Sequence, residues 1–272
     1  MCRAQSPSKP TIRKTCIVTN SRKKRRTLPA LRANAMPAAL LPHLSLANGT
    51  VESLKWLGLA LMTGDHVNKY LFNATLPGLF EGGRLCLPIF VFVLAYNLAR
   101  PGAFDRGAYV RTMKRLAAFG VTASVPYIAL GDLTSGWYPL NVLFTLLVIT
   151  TTTYLIEKGG AKNLTAASIM FLIGGSSVEY WWPAIAFGLA VWSYCKWPSM
   201  IAAVTALLSC AALWFINGNW WALAAVPVVL IASRVDVAMP RLRWAFYIYY
   251  PLHLVALWLI RIPMSKAGYL FF

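Results

Sequence analysis

The chain has 272 residues, of which 58% are hydrophobic, 13% aromatic and only 12% charged. That balance excludes a water-soluble globule, and apolar runs of near-spanning length place the chain among all-α, polytopic membrane proteins. The formal net charge of +18 does not point to nucleic acid, because the cations of the body sit between hydrophobic runs. There they orient helices and meet anionic lipid.

Residues 1–52 read as a basic, disordered arm. Ten of the 26 Lys/Arg fall there against one acid, Glu52, and the run Ser21-Arg-Lys-Lys-Arg-Arg has no apolar periodicity around it. The weakly apolar piece from Met36 to Ala47 is short and broken by Pro37 and Pro42. It imitates a signal peptide without a convincing cleavage site. Met36 is also an alternative translation start, which would make the upstream arm an artefact.

Residues 53–272 form the second unit, a transmembrane domain. About nine spans are predicted, at 54–72, 84–99, 114–130, 139–156, 163–178, 181–195, 199–216, 219–233 and 244–261. The loop after the second span carries Arg100, Arg106, Arg111, Lys114 and Arg115. Alternate loops continue the pattern with Lys158 and Lys162, then Lys196, then Arg234, Arg241 and Arg243, while the intervening turns have no Lys or Arg. By the positive-inside rule the N-terminus is cytoplasmic and the C-terminus outside. Trp137, Tyr138, Trp181, Trp182, Trp220 and Trp221 mark the uncharged turns, where an aromatic belt at the outer interface is the simpler reading than a ligand cage. The five cysteines form no C-x-x-C pair and no zinc spacing with histidine. No metal site is expected.

Ionisable groups inside spans carry the chemistry worth testing. Asp65 and His66 lie in the first span, and each costs about 2.5–3.5 kcal/mol to insert at a helix centre, so both are candidate functional residues. His66 stands roughly 18 Å along its span and His253 roughly 14 Å along a span of the same orientation, at 1.5 Å rise per residue. The two imidazoles therefore come to similar depth and are expected to share a polar site. Asp65 is expected to orient one of them, or another donor, or to be neutralised by Lys69 four residues on. Pro251 removes a helix hydrogen bond beside His253, which bends the helix or opens a pocket. Arg84 follows Gly82-Gly83 at the outer side, either as an interfacial anchor or as a fork for a carboxylate or phosphate. Glu81, Glu179, Asn141, Asn217 and Asn219 are the other outer-side polar groups. The loop at 100–115 suits a polyanion but equally satisfies the charge rule, so the residues binding a donor stay undefined. Phosphate-loop, serine-elbow and H-E-x-x-H motifs are absent from the sequence.

Three blocks resemble the TraX family, named for the F-pilin acetylase of conjugative plasmids. They are Leu54-Lys-Trp-Leu-Gly-Leu-Ala-Leu-Met-Thr-Gly-Asp-His-Val-Asn-Lys-Tyr-Leu, Gly83-Arg-Leu-Cys-Leu-Pro-Ile-Phe-Val-Phe-Val-Leu-Ala-Tyr-Asn-Leu and Phe246-Tyr-Ile-Tyr-Tyr-Pro-Leu-His-Leu. The likeness covers roughly residues 52–262 and leaves the basic arm unmatched. It implies a multi-pass protein of the bacterial inner membrane that acetylates the N-terminal amine of a processed pilin, with acetyl-CoA as donor, in pilus biogenesis. The family also looks related to the broad group of membrane acyltransferases.

Carried onto this chain, the candidate catalytic residues are Asp65, His66, Arg84 and His253. Chemistry supplies their expected roles: His66 or His253 as general base or acyl carrier, Asp65 as its orienter, Arg84 as a stabiliser of negative charge. The expected partners are a pilin and the lipid bilayer. Three alternatives stay open: acylation of a surface glycan, a proton-coupled transporter using the same buried groups, and a non-catalytic assembly scaffold.

Overall fold

The computed structural model of the protein describes residues 41–131 and 133–271. Residues 1–40 lie outside them, and with them most of the expected arm and the start at Met36. The arm does not run to residue 52. The first helix, α1 (Asn48–Leu71), begins five residues earlier than that boundary allows, because the segment is tied down. Thr50 Oγ1 donates to Val235 O at 2.7 Å, Leu46 N donates to the Tyr96 hydroxyl at 2.9 Å, and Glu52 is buried.

The remaining helices are α2 (Pro77–Gly83), α3 (Cys86–Ala99), α4 (Ala108–Leu130), α5 (Val142–Lys158) and α6 (Ala161–Ile169). A π-turn at Met170–Gly174 leads into the short α7 (Gly175–Ser177). Then come α8 (Trp181–Lys196), α9 (Met200–Ala212), α10 (Trp214–Asn217), a 3₁₀ turn at Trp221–Ala224, α11 (Ala225–Ala232) and α12 (Ala245–Lys266). The described residues contain no β-strand. A helical segment falls in each of the nine expected stretches, but their lengths differ. Pro77–Ala99, Met200–Asn217 and Ala245–Lys266 are long and apolar enough to cross a membrane. α12, with 22 residues, reaches about 33 Å at helical rise, enough for a hydrocarbon core of about 30 Å. Trp221–Ala232 is apolar but shorter. The second expected span also starts earlier than 84, since Pro77 at the first helical position pre-sets the backbone for α2.

The outward faces are those of a protein solvated by lipid. Ile201, Phe215, Val125 and Leu208 are 65–81% exposed, a pattern that water-soluble monomers rarely show. Trp137, Trp181, Trp182, Trp220 and Trp221 are exposed too. Inside, small residues let helices approach. An added Cβ on Gly188 of α8 would lie 2.8 Å from Ile149 of α5, which is the close packing expected where lipid supplies no hydrophobic drive between helices. Thr150, Thr152 and Thr153 return their hydroxyls to carbonyls of the preceding turn of α5, so these buried hydroxyls are satisfied.

For the site, two packings matter. α1 lies against α2, α3 and α12, and α12 also packs along α4. The first and last long helices of the described residues are thus neighbours. Gly188→Val is expected to cost about 1–3 kcal/mol by overpacking, read as a lowered thermal midpoint of the detergent-purified protein. Gly78→Ala, whose Cβ would meet nothing within 4 Å, is expected to leave that midpoint in place.

Candidate functional site

α1 carries Asp65 and His66 as neighbours, and neighbours on a helix point about 100° apart. They therefore reach different partners, one on the α2–α3 side and one on α12.

On the first side, Asp65 Oδ1 accepts from Arg84 Nη2 at 2.6 Å, with both side chains nearly buried. Arg84 sits at the break between α2 and α3, where the guanidinium also donates from Nε to Phe80 O at 3.1 Å and from Nη1 to Asn217 Oδ1 at 3.4 Å. It lies 4.3 Å over the Phe80 ring, and Glu179 and Tyr180 are within electrostatic reach. Gly83 makes this junction possible. A Cβ there would stand 2.4 Å from the Asp65 Cβ and 2.6 Å from its Oδ1, so only glycine lets α2 approach the carboxylate. Arg84 is therefore no interfacial anchor. Nor does Asp65 orient a histidine: its short hydrogen bond goes to the guanidinium, because the helix turns it away from His66.

On the other side, His66 Nδ1 lies 2.7 Å from His253 Nε2, with rings 5.0 Å apart and within 10° of parallel. α12 runs through Pro251 as one helix. One turn before His253, the Tyr249 carbonyl stands 3.0 Å from His253 Nδ1. A carbonyl only accepts, so Nδ1 of His253 carries the proton, and in the neutral ring Nε2 is bare. His66 Nδ1 must then donate to it, which leaves His66 Nε2 as the unprotonated nitrogen of that ring. The tautomers follow from one backbone carbonyl. Tyr70 and Tyr250 meet the His66 ring edge-on at 5.6 Å and 6.5 Å, and Tyr249 stacks on His253 at 5.2 Å. The Tyr249 hydroxyl in turn pairs with Thr63 Oγ1 at 2.8 Å, a second tie between α1 and α12.

The structure thus brings the four candidate residues together as two pairs rather than one cluster, with Arg84 within electrostatic reach of His66. Sequence reasoning passed over Gly83, Thr63, Tyr249 and Tyr250 as members of the site. Gly82-Gly83 before Arg84 was the one available signal, since the hydroxyls and rings look like ordinary packing. Asn217, one of the weak outer-side polar groups, does join the site. Asn141 instead caps α5 and bonds α4 at Gly120 and Ser124, a structural role.

A helical bundle with three helices long and apolar enough to cross a membrane, and an ionisable site buried between the first and last long helices of the described residues, defines the class of the protein. The chain belongs to the TraX family: the model described as TraX protein matches residues 50–261, most of the chain and both pairs of the site. No curated protein and no solved structure matches it.

Removing one partner of a buried ion pair leaves the other charge uncompensated, at about 3–5 kcal/mol. Asp65→Asn and Arg84→Met are each expected to destabilise on that scale, and the double variant to recover a large part of the loss. A double-mutant cycle on thermal unfolding in detergent checks it; additive losses would show the pair is not coupled.

Proposed function

We propose that the protein is an integral acetyltransferase of the bacterial inner membrane, with its N-terminus cytoplasmic and its C-terminus outside. It moves the acetyl group of acetyl-CoA onto the N-terminal amine of a processed pilin during conjugative pilus biogenesis. Family membership supports the association with the pilus. The observation that carries the chemistry is the His66–His253 pair, whose hydrogen bonds leave His66 Nε2 as a bare, oriented acceptor.

In this reading His66 is the base and His253 positions it. The pilin amine, with a pKa near 8 in the free chain, is partly protonated at neutral pH and attacks only as the neutral form. Its nitrogen bonds to the thioester carbonyl carbon and a proton passes to His66 Nε2. The proton on His66 Nδ1 then shifts along the 2.7 Å contact to His253 Nε2, which spreads the charge over both rings. Collapse breaks the carbon–sulfur bond, and the proton returns to the departing thiolate. The products are an N-acetylated pilin and free CoA thiol. General-base help of this kind contributes about 10²–10⁴ in rate. Arg84 has three of its five N–H donors engaged by Asp65, Phe80 and Asn217, so two remain for the negative oxygen that develops. Asp65 holds Arg84 in place for that task.

Mass spectrometry of a pilin co-expressed with this protein tests the reading. Wild type is expected to add the mass of one acetyl group to the N-terminal peptide. His66→Ala is expected to lose about 10²–10⁴ of the transfer rate, and His253→Ala to lose less, while both variants still insert. No mass gain on any candidate pilin, despite normal insertion, would overturn this substrate assignment.

A further inference from the structure

Beneath the histidine pair lies a cavity of about 500 Å³ walled by α1, α3, α4, α5 and α12, within the range of about 300–1,000 Å³ typical of small-molecule sites. Its two ends differ in chemistry. Cations from separate parts of the chain converge on one end: Lys55, Arg241 and Arg243 from one side, and Arg100, Arg106, Arg111 and Arg115 from the other. The opposite end is lined by Met62, Phe90, Leu143, Leu146 and Tyr250. From Lys55 to Met62 the cavity follows α1 for seven residues, about 10 Å at helical rise.

A charge bias that merely orients helices needs cations in the right loops, not cations gathered around one hollow. Here they come from α1, the loop after α3, α4 and the segment before α12. The carboxylate in ion-pair contact with them among the described residues is Glu52, which holds Lys55 at 2.6 Å and stands 3.8 Å from Arg241. The lining cations therefore outnumber the acid that touches them by a wide margin. Arg115 is held 4.5 Å over the Trp244 ring and Arg100 is fixed by Asn48 at 2.7 Å, so part of the basic rim is already ordered.

We infer that this cavity binds a phosphorylated amphiphile, with its phosphates at the Lys55–Arg115–Arg241 end and its apolar or acyl end against Met62 and Tyr250. Arginine forks suit phosphate oxygens in pairs. Two sources share this chemistry, a nucleotide thioester of the coenzyme A kind and an anionic phospholipid headgroup. The first is the assignment made here, and it rests on the acetyl-transfer reading. Tyr250 closes the inner end, its ring 5.4 Å from that of His253 and 6.5 Å from that of His66. Met62 is one helical turn before His66. A thioester at that end would have the Tyr250 ring between it and the histidine pair, and the phosphates stay at the face that carries the basic loops.

The test is equilibrium binding of coenzyme A to the purified full chain in nanodiscs of zwitterionic lipid, with no transfer required. Wild type is expected to bind, and more weakly as salt is raised. Arg241→Ser/Arg243→Ser, at exposed positions, is expected to weaken binding by about tenfold or more. Arg115→Gln gives a second, independent loss should the first pair disturb folding. Lys158→Ser, an exposed cation outside the cavity lining, is expected to bind coenzyme A as wild type does. Phosphatidylglycerol retained by the protein, without coenzyme A binding and sensitive to the same substitutions, would overturn the nucleotide assignment and give the site to lipid. Coenzyme A binding that both charge variants leave unchanged, or no binding of either ligand, would overturn the site. Binding without any pilin acetylation leaves this site standing and counts against the acceptor reading instead.

Discussion

A single hydrogen bond between imidazoles, His66 Nδ1 to His253 Nε2 at 2.7 Å, joins the first and last long helices of the described residues and sets the chemistry of the site. In water such a contact contributes only about 0.5–1.5 kcal/mol net. Away from water its importance is directional, because each ring has just two nitrogens and one of the four is committed to the Tyr249 carbonyl. That commitment fixes the other three. Pro251 lies between Tyr249 and His253, yet α12 carries both residues through on one helical face, and the Thr63–Tyr249 hydroxyl pair repeats the tie one turn away.

The second pair depends on a different constraint. Asp65 and Arg84 meet because Gly83 has no side chain, which lets α2 come within van der Waals limits of the carboxylate. An arginine at this depth is tolerated only when its donors are taken, and here carboxylate, carbonyl and amide partners take three of them. The result is a cation held within electrostatic reach of the His66 ring. The basic cavity approaches from the other direction and ends at Tyr250. The two pairs thus lie along the second half of α1 and the hollow along its middle, each reached through a different helix.

Much of the helical order was legible in the sequence, because apolar runs bounded by charge or aromatic turns have few other readings. Matching depth along helices also brings His66 and His253 together from the sequence alone, since rise per residue is nearly constant. What failed was azimuth. Depth says nothing about which way a side chain turns, so Asp65 was left to a histidine, another donor or Lys69 when the helix aims it at Arg84. The helix start at Asn48 was hidden for another reason: polar Asn48, Thr50 and Glu52 look like tail until the partners Arg100, Val235 and Lys55 are known. The cavity was hidden as well, because its cations are dispersed from Lys55 to Arg243 and only folding gathers them.

The central claim concerns proton placement, and ¹⁵N NMR of the histidine-labelled protein reads it directly, with His43 assigned by substitution. At a pH where the rings are neutral, both His66 and His253 are predicted to carry their proton on Nδ1, with a coupling across the bond from His66 Nδ1 to His253 Nε2. A proton on Nε2 of His66 would contradict the account, since that nitrogen would then have no lone pair with which to act as a base.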